Sequence, residues 1–297
     1  MTFSGMRRLV GVLAGALVLS ASSFADMIIN GGRVEDRHYR FGGSFYASGY
    51  DWTGVTVSHS YDGVYGNRIT MVSPSYFLTA AHNAVPAGTT VQFKDALGVT
   101  YNYAIDSYAA PLTTTFLYGG NWYIRNSDLL LGRLTAPLNP AHGIGYYPVI
   151  ADGAVYVDDP VFMCDRSQYV GSNNAEFLDI ITTVDPPSNP SAVVGVTLNM
   201  YYDNRPDEAF LQNGDSSSPT FAVRNGQLAL VGIHWSVYPD LVPETYGTHY
   251  SIDSYVPYYI DQINGLMVGE QLTVLQVPEP GTLALAGIAM IALLRRR

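Results

Sequence analysis

The chain has 297 residues, of which 47% are hydrophobic and 13% are charged, and its formal net charge is −10. This length allows one large domain or two units of about 100–150 residues, and the apolar content suffices for a core. The acidic balance argues against a nucleic-acid partner, which normally requires a cationic surface, and the one cysteine, Cys164, excludes an internal disulfide and a cysteine-based zinc site.

The N-terminus has the layout of a secretory signal. Two arginines precede the apolar run 9–19, and Ser23-Phe24-Ala25 places small residues at the cleavage positions. We therefore expect a signal peptidase to remove residues 1–25, so that the mature chain begins at Asp26. The alternative interpretation is a buried N-terminal helix.

The body of the chain is typical of an all-β protein. It is rich in Val, Tyr, Thr and Gly, and turn signals recur about every ten residues. Short strands are predicted at 55–58, 69–72, 91–93, 193–198 and 228–233. This pattern favours a β-sandwich or a pair of β-barrels.

The first candidate for catalysis is His82. The segment Thr79-Ala80-Ala81-His82 directly follows the apolar residues Tyr76-Phe77-Leu78, which places the imidazole at the end of a strand. The alternative is a structural histidine bonded to a backbone carbonyl, and we assign the other five histidines to that class. They are His38, His59, His142, His234 and His249.

The second candidate is Asp128, which stands at the start of the apolar strand 129–134. A carboxylate entering a buried strand is costly unless it has a partner. A histidine N–H is such a partner, and the bond would fix the imidazole tautomer for work as a base. The alternative is an acid that caps its own turn. After this strand, the proline-rich stretch 134–159 is the expected connection between two halves.

The third candidate lies in the segment 213–219, which contains a glycine, an acid and three serines and ends in proline before the apolar run 220–223. Such a segment makes a tight turn whose N–H groups can point outward beside a serine hydroxyl. That serine can attack a carbonyl if a base takes its proton and the turn amides receive the developing negative charge. The alternative is an ordinary surface turn.

Near the C-terminus, the pattern predicts a helix over 254–266. Ser254 can cap it, Pro257 lies in the first turn, and the apolar residues Tyr255, Ile260 and Ile263 share one face.

The last segment, 277–297, resembles a PEP-CTERM sorting signal. Pro278-Glu279-Pro280 is followed by the largely apolar run 281–294 and by three arginines. The resemblance implies a Gram-negative bacterium, an exosortase that cleaves near the Pro-Glu-Pro sequence, and release to the cell surface or extracellular matrix. Membrane contact would then be made only through this cleavable apolar helix.

Together, the three candidate segments resemble the trypsin-like (chymotrypsin-fold) serine proteases. Thr79-Ala80-Ala81-His82 matches the family motif around the general base, and 126–134 resembles the strand that carries the acid, here Asp128. The segment 214–219 resembles Gly-Asp-Ser-Gly-Gly-Pro, with the nucleophile at Ser216. The order His, Asp, Ser is that of this fold.

This resemblance covers about residues 28–265 and implies two six-stranded antiparallel β-barrels with a C-terminal helix. The N-terminal barrel, 26–150, would carry His82 and Asp128, and the C-terminal barrel and helix, 151–276, would carry Ser216.

In activity, the resemblance implies hydrolysis of a polypeptide substrate through an acyl-enzyme, with no metal or organic cofactor. His82, Asp128 and Ser216 would form the catalytic triad, and the amides of Gly214 and Ser216 would form the oxyanion hole.

Several positions depart from the family pattern. The two family glycines after the nucleophile are Ser217 and Ser218, and a side chain at the first predicts crowding of the turn or the substrate. Phe210 stands where trypsins carry the aspartate at the base of the specificity pocket, which disfavours Arg/Lys specificity. Trp235 and Ser236 occupy the expected pocket wall.

The activation step is left open by the sequence. Ile28 begins a segment that resembles the start of the active family enzymes, whose new N-terminus pairs with the acid before the nucleophile, here Asp215. Either Asp26 and Met27 are removed to activate a zymogen, or the N-terminus is not used.

The leading hypothesis is therefore a secreted serine endopeptidase. The second is a protease-fold protein without catalytic activity that binds at the surface or in the matrix. The third is a carbohydrate-binding β-sandwich, which would use the 23 tyrosines and leave the three motifs as coincidence.

Overall fold

The computed structural model describes residues 26–59, 69–155, 157–182, 189–238 and 249–276. The expected signal segment 1–25 and the expected sorting segment 277–297 lie outside these ranges. Among the residues described, no helix has the length and apolar character needed to cross a membrane.

The described chain is mostly β, which confirms the fold class in its coarse form. The first nine strands are β1 Ile28–Ile29, β2 Ser58–His59, β3 Thr70–Met71, β4 Tyr76–Ala80, β5 Thr90–Lys94, β6 Thr100–Tyr108, β7 Thr113–Tyr118, β8 Asn121–Asn126 and β9 Leu129–Leu134. The others are β10 Val149–Ile150, β11 Asp159–Cys164, β12 Val170–Ala175, β13 Phe177–Thr182, β14 Val194–Tyr201, β15 Ala209–Phe210, β16 Pro219–Arg224, β17 Gln227–Tyr238, β18 Tyr250–Tyr255 and β19 Val274–Leu275. The helices are α1 Glu35–His38 and α2 Ile260–Leu266, with 3₁₀ turns at Ala81–Asn83, Pro140–His142 and Val256–Tyr259.

The first half of the chain builds a six-stranded sheet in the order β2-β5-β6-β9-β4-β3, beside a separate β7–β8 hairpin. β4 is buried along its whole length and β9 along all but one residue, so both read as continuous apolar runs. They pair antiparallel, with Leu78 opposite Leu131 and Ala80 opposite Leu129. The end of β4 therefore lies beside the start of β9, which brings the residues after Ala80 to those before Leu129.

The second half builds a nine-stranded sheet, whereas six strands were expected. Its main path runs β12-β11-β16-β17-β18-β14-β13, and β10 adds parallel pairings to β17 and β19. β1 pairs with β15, so β1 and β10, which both fall within 26–150, hydrogen-bond to strands of the second half.

The two sheets share one apolar core. Leu78 and Leu131 from the first sheet belong to the same buried cluster as Phe221 and Leu230 from the second, together with Tyr259 from the C-terminal turn. Full burial of each such side chain contributes about 1.5–3 kcal/mol. This shared core fixes β4 and β9 against β16 and β17, and the candidate residues lie where these strands end.

The C-terminal helix begins later than the sequence predicts. Ser254 and Tyr255 belong to β18, and Ser254 lies opposite Thr197 of β14 and Ile233 of β17. Cross-strand pairing on both sides holds this segment extended, so Ser254 does not cap a helix. A 3₁₀ turn containing Pro257 follows, and α2 begins at Ile260.

The predicted strand at 55–58 is also largely absent as a strand. Only Ser58 lies in β2, and Val55 forms an isolated bridge with Thr70. The physical reason is Arg40, whose buried guanidinium donates to the carbonyls of Val55 and Thr56 and so uses backbone acceptors that a neighbouring strand would otherwise take.

Candidate active site

His82 and Asp128 meet at the adjacent ends of β4 and β9. His82 lies in the 3₁₀ turn that follows β4, and its Nδ1 atom is 2.7 Å from Oδ2 of Asp128. The backbone N–H of His82 donates to Oδ1 of the same carboxylate at 3.0 Å, and the N–H of Ala81 donates to the Asp128 carbonyl at 2.7 Å. Both the side chain and the backbone of the turn are therefore bound to Asp128.

The burial of the two groups differs sharply. The side chain of Asp128 is 3% exposed, whereas that of His82 is 45% exposed. Because a carboxylate can only accept hydrogen bonds, Nδ1 of His82 carries the proton and Nε2 is left as an acceptor on the open side of the ring.

Ser216 lies at this open side. Its Oγ atom is 2.8 Å from Nε2 of His82, so the hydroxyl can donate its proton to the imidazole. The side-chain amide Nδ2 of Asn83, the next residue after His82, donates to the backbone carbonyl of Ser216 at 3.1 Å. The structure thus brings together His82, Asp128 and Ser216, the three residues that the sequence singled out.

The loop before β16 shapes the surroundings of Ser216. Gly214 has a φ of 101°, which is the region that favours glycine. Within the described residues, the amides of Gly214 and Ser216 donate to no protein acceptor. Two such N–H groups beside a hydroxyl can receive an oxyanion.

Ser217 and Ser218 both turn inward. Each residue is 0% exposed. The side chain of Ser217 therefore points into the protein interior instead of toward solvent.

The expected activation pair is not brought together in this structure. Ile28 lies in β1 opposite Phe210, and the carboxylate of Asp215 accepts the backbone N–H groups of Arg166 at 3.2 Å and Gln212 at 2.9 Å. The Ile28 nitrogen is part of a peptide bond here, so it cannot supply the charged amine that such a pairing requires.

Of the expected pocket residues, Phe210 is the most enclosed. It is 1% exposed and packs in a cluster with Tyr202, Val237 and Ile28. Trp235 is 9% exposed and lies at a register shift in β17, next to the partly buried Ser236.

Another histidine–aspartate pair lies beneath the nucleophile loop. Nδ1 of His234 is 3.0 Å from Oδ1 of Asp253, and both side chains are almost fully buried. The expectation of a backbone-carbonyl partner is therefore wrong for the side chain of His234. It is also wrong for His38, which contacts Asp207, and for His142, which contacts the Tyr103 hydroxyl. The sequence alone does not indicate this pair, because His234 and Asp253 are brought together only when β17 pairs with β18.

No group of three or more His, Cys, Asp or Glu side chains that could hold a metal occurs in the described part of the chain.

The C-terminus matches a known sorting motif. Residues 276–297 match the PEP-CTERM protein-sorting motif, which confirms the predicted signal. The motif indicates export and cell-surface sorting in Gram-negative bacteria and implies processing by an exosortase.

The body is similar to solved structures at low sequence identity. One is kallikrein-related peptidase 10, with 15% identity over 72% of this chain and 94% of that chain and a TM-score of 0.45. Another is kallikrein-related peptidase 10 in complex with Zn²⁺, with 15% identity over 73% and 96% of the two chains and a TM-score of 0.47. No curated protein matches the sequence.

Proposed function

We propose that this protein is an exported serine endopeptidase that hydrolyses peptide bonds through an acyl-enzyme. The observation that carries the proposal is the continuous hydrogen-bonded series from Ser216 Oγ to His82 Nε2 at 2.8 Å and from His82 Nδ1 to Asp128 Oδ2 at 2.7 Å. A nucleophile in hydrogen-bond reach of a base, which is itself bound to an orienting acid, is the arrangement that serves acyl transfer.

In the proposed mechanism, Ser216 Oγ attacks the scissile carbonyl while Nε2 of His82 accepts its proton. The carboxylate of Asp128 holds the imidazole in the required tautomer and stabilises the imidazolium that forms. The amides of Gly214 and Ser216 donate to the developing oxyanion. His82 then gives the proton to the leaving amine, which leaves the acyl group on Ser216. In the second half, His82 takes a proton from water as the water oxygen attacks the acyl carbon. Ser216 Oγ then leaves and takes the proton back from His82.

The same proposal includes two barrel-like halves, 26–150 and 151–276, with the site at their junction. Removal of 1–25 by signal peptidase and cleavage near 277–280 by an exosortase would release the enzyme outside the cell. Phe210, Trp235 and Ser236 would give an apolar or shallow specificity pocket, so we expect cleavage after apolar residues in a peptide library and not after Arg or Lys.

Fluorophosphonate labelling of the purified full-length protein, read by intact mass, tests the proposal. We expect one adduct on the unchanged protein and none on Ser216→Ala. Loss of the nucleophile or the base should slow turnover by about 10⁴–10⁶-fold. Ser107→Ala removes an exposed hydroxyl of β6 and should label like the unchanged protein.

Absence of an adduct both on correctly folded full-length protein and on a version that begins at Ile28 would overturn the proposal and favour the second function, a catalytically inactive binding protein at the surface or in the matrix. A version that begins at Ile28 tests activation separately. If only that version labels, the protein is a zymogen whose N-terminus is used.

A further inference from the structure

Ser217, the residue after the proposed nucleophile, connects the two sheets through its side chain. Its Oγ atom accepts the backbone N–H of Ala80 at 3.0 Å and the Thr79 hydroxyl at 2.9 Å. These partners lie 137 and 138 positions earlier in the chain, at the end of β4, two and three residues before His82. We infer that Ser217 is a positioning residue that sets the distance between Ser216 and His82, an inference that rests on the proposed function.

The two bonds act on the backbone segments that carry the reacting groups. On one side, Ala80 and Thr79 precede the turn of His82. On the other, Ser217 is joined directly to Ser216. A displacement of either segment by about 1 Å would take Ser216 Oγ away from Nε2 of His82, and misplacement on that scale can slow a reaction by about 100-fold.

Burial makes these bonds effective. Ser217 is 0% exposed, Ala80 and Thr79 are each 1% exposed, and a hydrogen bond away from water meets less competition from solvent. Removal of the Ser217 hydroxyl would leave the Ala80 N–H without an acceptor. Water could not easily replace the hydroxyl, because the position is buried.

The backbone of Ser217 supports the same inference. Its φ is 73°, a left-handed conformation that glycine adopts most easily. Its N–H donates to the His234 carbonyl at 2.9 Å, which holds the strained residue in place. The family pattern has glycine here, so the serine carries a backbone strain that its hydroxyl contacts offset.

The neighbouring Ser218 provides a matched control. It is also 0% exposed, but its Oγ has no hydrogen-bond partner in the described part of the chain. Ser218→Ala deletes one hydroxyl from the same loop, as Ser217→Ala does, but it breaks no hydrogen bond between the two sheets.

The experiment compares Ser217→Ala, Ser217→Gly and Ser218→Ala in the full-length protein. The rate constant of fluorophosphonate labelling is measured across pH at 25 °C, together with Tm. We expect both Ser217 variants to label about 10–100-fold more slowly, and Ser218→Ala to label within about twofold of the unchanged protein. Ser217→Gly relieves the strained φ, so slower labelling without a lower Tm separates positioning from stability.

The pH dependence adds a measurement that a purely structural role would leave unchanged. Loss of the hydrogen bond from Ser216 to neutral His82 removes a contact that favours the neutral imidazole. The midpoint of the labelling profile should therefore move to higher pH in both Ser217 variants.

Labelling of both Ser217 variants at the unchanged rate and midpoint would overturn this inference and leave the proposed function intact. Equal slowing of Ser218→Ala would also overturn it, because any change in the loop would then have the same effect. If only the version that begins at Ile28 labels, the same variants are compared in that form. If neither form labels, the proposed function falls and this inference falls with it.

Discussion

The Nε2 atom of His82 lies 2.8 Å from Oγ of Ser216, although the two residues are 134 positions apart in the chain. His82 follows β4 of the six-stranded sheet, and Ser216 precedes β16 of the nine-stranded sheet. The contact exists because the shared core packs the ends of these strands together. We therefore expect different results from substitutions that alter the His82–Ser216 contact and from substitutions that alter the packing of the sheets around it.

The first prediction concerns Asp128, whose two oxygens bind the ring and the backbone N–H of His82. Asp128→Asn would place an amide N–H opposite Nδ1 of His82. This N–H favours the tautomer whose proton is on Nε2, and that nitrogen could then no longer accept the proton of Ser216. We expect labelling of Ser216 to slow by about 10⁴-fold with little change in fold. Stopped-flow or manual labelling kinetics, with circular dichroism, measure both.

Asp106 offers the matched control, since it is an exposed acid on β6. Asp106→Asn should leave the labelling rate unchanged. An Asp128→Asn protein that labels as fast as this control would show that the Asp128 carboxylate does not orient the base.

The second prediction concerns Arg40, which is 7% exposed. Its guanidinium donates to the carbonyls of Trp52 at 2.7 Å, Val55 at 2.9 Å and Thr56 at 3.2 Å. The single ammonium of Arg40→Lys cannot reproduce this planar set of donors. Each carbonyl left without a donor costs about 1–3 kcal/mol, so chemical denaturation should report a lower free energy of unfolding. Arg133→Lys, at an exposed position of β9, should leave the free energy of unfolding nearly unchanged. An equal decrease in the two variants would contradict the role of Arg40.

The third prediction concerns Gly132 of β9. A Cβ atom at this position would lie 2.2 Å from Cζ of Phe77, whose ring is fully buried. Gly132→Ala should therefore lower the free energy of unfolding by about 1–3 kcal/mol through overpacking. At Gly43, an added Cβ meets no atom within 4 Å, so Gly43→Ala should lie within about 0.5 kcal/mol of the unchanged protein. Similar denaturation midpoints for the two variants would refute the packing argument.

The fourth prediction concerns alkaline pH. Burial raises the pKa of Tyr108 to about 12, and its hydroxyl donates to the Val85 carbonyl at 2.7 Å. In the unfolded chain a tyrosine ionises near pH 10. Because the folded pKa is the higher one, the stabilisation associated with the neutral phenol is present below about pH 10 and is lost as the pH rises toward 12.

Tyr108→Phe should therefore reduce the steepness with which the free energy of unfolding falls between about pH 10 and 12. It should also lower stability at pH 8 by about 1 kcal/mol through loss of one hydrogen bond. Tyr146→Phe, at a residue that is 48% exposed, is the control. An unchanged slope in Tyr108→Phe would argue against burial as the cause of the raised pKa.

Local sequence patterns predicted much of the fold because they report local burial. The apolar run at 76–78 predicted a strand, and β4 contains it. The strands expected at 91–93 and 228–233 are found inside β5 and β17. Asp128 could be proposed as a partnered acid because a carboxylate that enters a buried strand needs a donor.

Features that depend on distant residues could not be predicted in this way. Arg40 looks like a surface cation in the sequence, and only the fold places carbonyls around it. Ser254 looks like a helix cap until strands on both sides of it are known. The inward direction of Ser217 depends on an N–H group of Ala80, 137 positions away. The number of strands in the second half also depends on parallel pairings of β10 with β17 and β19.

The separation of His82 from Ser216 also bears on when the site can form. Contacts between residues far apart in sequence form slowly, because a long loop must close before they are gained. Ser216 lies in the last third of the 297-residue chain, so a chain that emerges N-terminus first from a translocation channel contains His82 and Asp128 well before their partner arrives. The complete site can form only after β16 and β17 have emerged and packed on β4 and β9. In a chain exported in this way, any chemistry of these three side chains is delayed until β16 and β17 have emerged.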